Sequence, residues 1–162
     1  MHARGFQATT LRGIAELAEV APQTIIATFG TKPRILAEII RQQVFGERHT
    51  QLIEEVIAAE TSRQQLALLA RINRQVYESG QPEFELLRGA AGAAPEVAEL
   101  ERELDAERRQ GQRMTLDLLA QRGGLGPGVD LDAAADLIWA LSSYDLYRAL
   151  VVECGWSPAD YE

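Results

Sequence analysis

Residues 9–32 read TTLRGIAELAEVAPQTIIATFGTK and contain two short helical patterns separated by a four-residue break. The apolar residues of the first pattern recur at helical spacing and form one stripe: Leu11, Ile14, Ala15, Leu17 and Ala18. The second pattern begins at Pro22, a residue suited to a first helical turn, and ends at Phe29. Two short helices joined by a tight turn are typical of a helix-turn-helix, which this stretch therefore predicts.

The second short helix has two chemically different sides. At about 100° per residue, Ile25 and Phe29 share one side with Pro22. The other side carries small or hydrogen-bonding residues: Gln23, Thr24, Ala27 and Thr28. Glutamine can pair bidentately with adenine, and methyl groups can contact thymine, so this side suits a DNA major groove. The periodicity alone also fits two packed helices of any all-α protein.

The same residues resemble the tetracycline-repressor (TetR) family of transcriptional regulators. The resemblance lies in GFQATTL at residues 5–11, IA at 14–15, AEVA at 18–21 and TIIATFGTK at 24–32. GWSP at residues 155–158, followed by Tyr161, is similar to the end of one ligand-domain subfamily. The resemblance implies that Thr10, Arg12 and Lys32 contact DNA phosphates. It also implies that the polar side of the second short helix reads the bases: Gln23, Thr24, Ala27 and Thr28.

Three positions depart from the family pattern. Ile26 stands where the family usually has a phosphate-binding tyrosine, Glu19 replaces the turn glycine, and Ala21 replaces the capping serine. These changes predict weaker affinity for phosphates. The family also has a full first helix before Gly5, where only residues 1–4 stand here, so we expect the sequence to be shortened at the front. The stop at Glu162 also comes early for the subfamily.

Composition and charge limit the function classes. With 162 residues, 46% hydrophobic, the chain can form one globular protein of one or two domains. Residues 1–50 hold six basic and four acidic residues, whereas residues 51–162 hold ten basic and twenty acidic ones. Net charges of +2 and −10 follow, so only the first segment suits a polyanion such as operator DNA.

Neither a membrane nor a metal is expected as a partner. No stretch of about 20 apolar residues is present, so we expect a cytoplasmic protein without membrane association. Cys154 is the single cysteine and only two histidines accompany it, which excludes an internal disulfide and a zinc site of Cys and His ligands. No cofactor is predicted.

Almost the whole chain shows helical periodicity, which predicts an all-α fold of about seven helices. We assign residues 1–48 to the helix-turn-helix domain and residues 49–162 to a ligand-binding and dimerisation domain. Ser62 and Gln65 have capping-box spacing, and Pro82 is placed in the first turn of a new helix. Asp130 or Asp132 is expected to cap the last helix, over residues 131–152.

The resemblance implies that the acidic domain binds a small effector and forms a homodimer. The effector is expected to be hydrophobic, and the dimer is expected to bind palindromic double-stranded DNA as a repressor. Candidate pocket residues are large and partly apolar: Tyr77, Phe84, Met114, Leu118 and Trp139. Arg88, Arg113 and Arg148 are candidate partners for an effector carboxylate. The candidate dimer interface is an apolar stripe: Leu137, Leu141, Tyr144, Leu150 and Val151.

Two other classes compete with this interpretation. Catalysis lacks support, because no histidine lies near Cys154 in sequence and no Glu-x-x-His pair of a di-metal bundle is present. The chain is therefore not expected to be an enzyme. A helical small-molecule-binding protein, or a regulator that has lost DNA binding, stays open because of Ile26, Glu19 and the missing first helix.

Overall fold

A computed structural model describes residues 5–162, and every regular element in this range is a helix. The helices in chain order are α1 Gly5–Ala8, α2 Leu11–Leu17, α3 Pro22–Phe29, α4 Lys32–Val44, α5 Glu47–Ala58, α6 Ser62–Ala91, α7 Pro95–Gln121, α8 Leu131–Leu141, α9 Tyr144–Tyr147, a π-helix Arg148–Glu153 and α10 Pro158–Tyr161. The all-α prediction is confirmed, with more helices than expected. Residues 1–4, which are all that precedes Gly5 where the family has a full first helix, lie outside the described range.

The chain divides into two compact units. The first consists of Met1–Gln43 and Gly80–Glu103, and the second of Val44–Ser79 and Leu104–Glu162. The long helices α6 and α7 contribute residues to each unit. The assignment of two domains that meet after residue 48 stays a prediction.

The core of the helix-turn-helix contains the predicted inner residues of both short helices. Ala15, Ile25 and Ile35 are buried together, and partly buried apolar side chains pack against them: Leu11, Ile14, Phe29 and Ile39. Leu17 and Ala18 do not join this core, and Leu17 is 89% exposed. Leu17 lies two residues after Ala15, about 200° around the helix axis, so it points to the opposite side.

The second unit contains two separate apolar clusters. Leu52 and Val56 of α5 pack with Ile72 of α6. Leu116 and Leu119 of α7 pack with a small residue of α8, Ala135. Both clusters follow from helical spacing of apolar residues at intervals of three or four.

The predicted helix break at residues 79–82 was wrong, because α6 continues through it with Pro82 in its interior. Proline in a helix removes one backbone hydrogen bond and costs about 3 kcal/mol. Buried residues on either side of the break, Tyr77 and Leu87, stabilise the continuous helix and offset this cost. A single proline was therefore a weaker signal than the apolar periodicity around it.

The predicted capping box at Ser62 and Gln65 is displaced by one residue. The amide of Gln64 donates to Thr61 Oγ1 over 3.2 Å, and the amide of Thr61 donates to Gln64 Oε1 over 3.0 Å. Gln65 is instead 1% exposed, and its Nε2 donates to the carbonyl oxygen of Val56. Of the two aspartates proposed to cap α8, the structure selects Asp130, which accepts from the amides of residues 132 and 133.

The predicted last helix over residues 131–152 is interrupted. α8 ends at Leu141, and Ser143 caps α9 by accepting from the amide of Leu146 over 3.2 Å. Serine side chains compete for backbone groups in this way and favour helix ends over helix interiors. The π-helix Arg148–Glu153 then follows α9 directly.

Candidate nucleic-acid interface

The turn between α2 and α3 adopts a backbone conformation that normally favours glycine. Glu19 has φ = 54°, in the left-handed region, and the amide of Val20 donates to the carbonyl oxygen of Ala15 over 3.1 Å. A side chain in this region costs about 1 kcal/mol or more. Glu19, which stands where the family has its turn glycine, therefore carries backbone strain that the sequence analysis did not predict.

Helix α3 begins without a side-chain cap and ends at a glycine. Ala21 has extended backbone angles, φ = −66° and ψ = 141°, and no side-chain oxygen that could accept from the first turn of α3. Pro22 stands at the first position, and Gly30, with φ = 72°, ends the helix. The helix is anchored by Ile25, which is 7% exposed and belongs to the core with Ala15.

The four residues predicted to read bases all lie on the exposed surface of α3: Gln23, Thr24, Ala27 and Thr28. Their spacing of one, three and four residues places them on neighbouring helix turns. The opposite side of α3 is fixed by Ile25. The chain thus displays hydrogen-bonding and methyl groups on one outward surface, as major-groove recognition requires.

Exposed apolar side chains also occur at the helix-turn-helix. Ile26 is 51% exposed, Val20 is 40% exposed, and Leu17 at the end of α2 is almost fully exposed. The sequence analysis singled out Ile26 but missed the exposure of Leu17. The helical angle between Leu17 and Ala15 was the signal that could have shown it.

Thr10 is the N-cap of α2, and Arg12 lies in its first turn. Thr10 Oγ1 accepts from the amide of Gly13 over 3.0 Å, which leaves the hydroxyl hydrogen available to donate to a phosphate oxygen. The Nε of Arg12 lies 3.1 Å from Glu16 Oε1, and its side chain is 82% exposed. An exposed ion pair of this kind is weak, so a phosphate can compete for the guanidinium.

Lys32 has partners that the sequence analysis missed. Its Nζ donates to the carbonyl oxygens of Phe6 over 2.6 Å and Thr9 over 2.9 Å, and lies 4.1 Å from the centroid of the Phe6 ring. The ammonium group therefore stabilises the end of α1, where helix carbonyls otherwise lack partners. Two of its three hydrogens are used inside the chain, and its predicted phosphate contact stays a prediction.

The candidate pocket residues do not share one environment. Tyr77 is 2% exposed and donates to the carbonyl oxygen of Ser142 over 2.7 Å, while Leu118 and Trp139 are partly buried. Met114 is 66% exposed, so within the single chain it does not line an enclosed pocket. Phe84 belongs to the first unit.

A polar network around Arg108 organises the second unit. The guanidinium donates to the carbonyl oxygen of Trp139 over 2.8 Å and to Asp105 Oδ1 over 2.6 Å. Trp139 in turn donates from Nε1 to both carboxylate oxygens of Asp105. Gln112, which is 7% exposed, donates to Ser142 Oγ, which also accepts from Arg108. Arg108 and Asp105 are three residues apart on α7, but the other pairings join residues 30–34 positions apart, and local periodicity does not indicate them.

Four tyrosines form an aromatic cluster in the same unit. The ring centroid of Tyr147 lies 5.4 Å from that of Tyr77 and 5.0 Å from that of Tyr161, and Tyr144 lies 5.4 Å from Tyr77. Burial raises the pKa of Tyr161 to about 12 and raises that of Tyr77 further. The hydroxyl groups of Tyr77 and Tyr161 are therefore neutral at physiological pH.

The candidate dimer residues differ in exposure. Leu137 and Leu141 are 62% and 63% exposed on α8, one helical turn apart. Tyr144, Leu150 and Val151 are partly buried within the chain. Of the arginines proposed for a carboxylate, Arg113 pairs with Asp117 and Asp132, Arg148 pairs with Glu153, and Arg88 is exposed in the first unit.

Residues 5–162 contain no cluster of three or more His, Cys, Asp or Glu side chains able to hold a metal ion. Within the same residues, no helix combines the length and apolar character that crossing a bilayer demands.

Taken together, an α2–turn–α3 unit with an anchored inner side and a polar outer side defines a helix-turn-helix DNA-binding protein. Residues 1–39 match the family described as "Bacterial regulatory proteins, tetR family". The N-terminal part of the chain is thus that of a tetR-type transcriptional regulator. No curated protein and no solved structure matches the chain.

Proposed function

We propose that the chain is a ligand-responsive homodimeric repressor that binds operator DNA through α3 and leaves it when a small effector binds. The observation that carries the proposal is the exposed polar surface of α3: Gln23, Thr24, Ala27 and Thr28. Gln23 supplies the bidentate donor and acceptor pair that suits adenine, and the methyl groups of the threonines and Ala27 suit thymine. Thr10 and Arg12 supply phosphate contacts that fix α3 in the groove.

The charge distribution supports DNA binding by the N-terminal segment and a different function for the rest of the chain. The net +2 of residues 1–50 allows approach to DNA, whereas the −10 of residues 51–162 repels it. The acidic part is therefore assigned to effector binding and dimerisation. One short recognition helix reads few base pairs, so a two-fold dimer on a palindromic operator gives the required specificity.

The dimer is proposed to use α8. Leu137 and Leu141 lie one helical turn apart and expose their side chains to solvent. This exposure costs free energy unless a partner covers both side chains. Leu141→Glu is expected to give a monomer in sedimentation-velocity analysis. Ile57→Glu is the matched control, because Ile57 is 57% exposed on α5. Monomers from both variants, or from neither, would place the interface elsewhere.

Release is proposed to be a population shift. An effector lowers DNA affinity only if it binds more tightly to the chain conformation that does not fit the operator. The partly apolar surroundings of Tyr77 and Trp139 suit an effector with a hydrophobic body.

Selection of duplexes from a random-sequence library tests DNA recognition. The expected product is an inverted repeat, and Gln23→Ala should lose the base preference at one position of each half-site. Gln51→Ala, a change of the same type at an exposed residue of α5, should select the unchanged repeat. Recovery of unrelated sequences by the unaltered chain would contradict the proposal.

The second candidate is a helical regulator that no longer binds DNA. It is favoured by the exposed apolar residues Leu17, Val20 and Ile26, which resemble a protein-binding surface more than a phosphate-binding one. The salt dependence of duplex binding separates the two candidates, since neutralised phosphates produce a steep decrease with salt and a protein-binding surface produces none.

A further inference from the structure

A cleft of about 480 Å³ lies within the second unit, apart from the residues first proposed as the effector pocket. Its lining includes the guanidinium groups of Arg48, Arg71 and Arg74 and the carboxylates of Glu78 and Glu162. Glu78 Oε2 accepts from Arg74 Nε over 3.2 Å. The volume is in the range of small-molecule sites. The three arginines outnumber the two carboxylates, and once Glu162 is displaced they favour an anion in its place.

The cleft already holds a carboxylate. Glu162 Oε1 accepts from Arg71 Nε over 2.9 Å, and Glu162 Oε2 accepts from Arg74 Nη1 over 3.1 Å. The Glu162 side chain is only 21% exposed. Arg71 and Arg74 are three residues apart on α6, so they are neighbours on one helix surface and each takes one oxygen of the same group.

The wall beside these arginines is fixed by hydrogen bonds. Gln75 Nε2 donates to the carbonyl oxygen of Val44 over 3.1 Å, so Gln75 Oε1 faces His49 Nδ1 at 3.2 Å. Ser79 Oγ donates to the carbonyl oxygen of Gln75 over 2.7 Å. A site whose walls are held in place before binding loses less conformational freedom when a ligand arrives.

We propose that this cleft binds a small carboxylate, whose charged group replaces that of Glu162 between Arg71 and Arg74. After this exchange the ligand retains both arginine contacts that Glu162 shows. Arg48 strengthens the attraction, because its own partner, Glu55, lies 3.6 Å away and holds it only weakly.

Glu162 acts as an internal competitor in this arrangement. A tethered carboxylate has a high effective concentration at the arginines, so it reduces the apparent affinity for a free one. Removing its charge without changing its shape, in Glu162→Gln, should therefore tighten carboxylate binding. The binding itself stands independently of DNA, whereas its control of the operator complex rests on the proposed function.

Calorimetric titration of the full chain, without DNA, tests the site with benzoate and hexanoate as probes. Glu162→Gln should bind one or both about tenfold more tightly than the unaltered chain, since the competing charged hydrogen bonds are lost. Arg71→Gln combined with Arg74→Gln should abolish the binding, and benzamide, the neutral analogue of benzoate, should not bind. Arg63→Gln, at an exposed arginine of α6 outside the cleft, is the matched control and should change nothing.

Absence of saturable binding of both probes to Glu162→Gln would overturn the proposal. So would equal binding of benzoate and benzamide, or binding that survives loss of both arginines. Single Arg71→Gln keeps the test valid if the double variant fails to fold, because that side chain is 47% exposed. If the probes bind the cleft and leave the DNA complex unchanged, the site stands and the proposed effector control fails.

Discussion

In the helix-turn-helix, Gln23, Thr24 and Thr28 are exposed on α3, whereas in the second unit Arg108 contacts Asp105, the Trp139 backbone and Ser142. The first region therefore displays its hydrogen-bonding groups to the outside. The second region uses its strongest donor to join α7 to the end of α8. This difference indicates where DNA can bind: the polar groups of α3 are exposed, whereas Arg108 already donates to several partly buried acceptors and gains little from a new contact.

Removing the central donor of the second unit should have the largest effect. Arg108→Met is expected to destabilise that unit by about 2–3 kcal/mol, because it leaves partly buried acceptors without partners. The Arg108 side chain is 19% exposed, whereas that of the neighbouring Arg109 is 56% exposed. Arg109→Met is therefore the control and should change stability little. Urea unfolding followed by tryptophan fluorescence reports on this unit, since both tryptophans, Trp139 and Trp156, belong to it.

Lys32 differs from the exposed polar residues of α3, because its ammonium group donates to carbonyl oxygens inside the first region. Lys32→Met is expected to destabilise the first unit by about 1–2 kcal/mol, since two hydrogen bonds from a charged donor are lost. Hydrogen exchange of the α1 and α2 amides measures this change. Arg34→Met, at an exposed residue of the same helix turn, should leave exchange unchanged. Equal protection in both variants would show that the contacts with Phe6 and Thr9 contribute little.

A substitution at the strained turn should change stability less than the two above, and it should raise stability rather than lower it. Glu19→Gly is expected to stabilise the helix-turn-helix by about 0.5–1 kcal/mol, because glycine adopts the left-handed conformation without a side-chain clash. Glu16→Gly, inside α2, should destabilise it by about 1 kcal/mol. Thermal unfolding followed by circular dichroism compares the two. Destabilisation by both changes would contradict the assignment of strain to Glu19.

His49 gives the smallest expected effect, as a dependence of stability on pH. Burial lowers its pKa below the usual 6.5, and the hydrogen bond with Gln75 opposes this only in part. The folded state therefore favours the neutral imidazole, and its contribution to stability is complete above pH 6.5 and is lost as the pH falls through the folded pKa. The unaltered chain should lose more stability between pH 7.5 and pH 5 than His49→Gln does. An equal loss in both chains would assign the acid sensitivity to other groups.

Local patterns predicted the helix-turn-helix well, because its decisive contacts lie close in sequence. The inward positions of Ala15 and Ile25 follow from spacing. The sequence analysis also marked Glu19 as a replaced turn glycine, but the left-handed conformation there was found only in the structure. The same patterns failed at two positions. Pro82 predicted a helix break although the apolar periodicity continues through it, and Leu17 was placed in the core although it lies about 200° around the helix from Ala15.

Contacts distant in sequence could not be predicted from such patterns. Lys32 meets Phe6 across 26 residues, and Arg71 meets Glu162 across 91. Charged side chains of this kind are compatible with many partners, and only the folded chain selects one. The arginines first proposed for a carboxylate, Arg88, Arg113 and Arg148, were therefore chosen by residue type, whereas the cleft is lined by others.

The central claim is that α3 reads operator DNA, and fluorescence anisotropy tests it most directly. The full chain is titrated against a labelled duplex from its own promoter region and against a shuffled duplex, each at two salt concentrations. We predict tighter binding to the promoter duplex, with affinity for both duplexes falling steeply as salt rises, and loss of the preference in Gln23→Ala. Equal binding to both duplexes, or no salt-sensitive binding to either, would contradict the account.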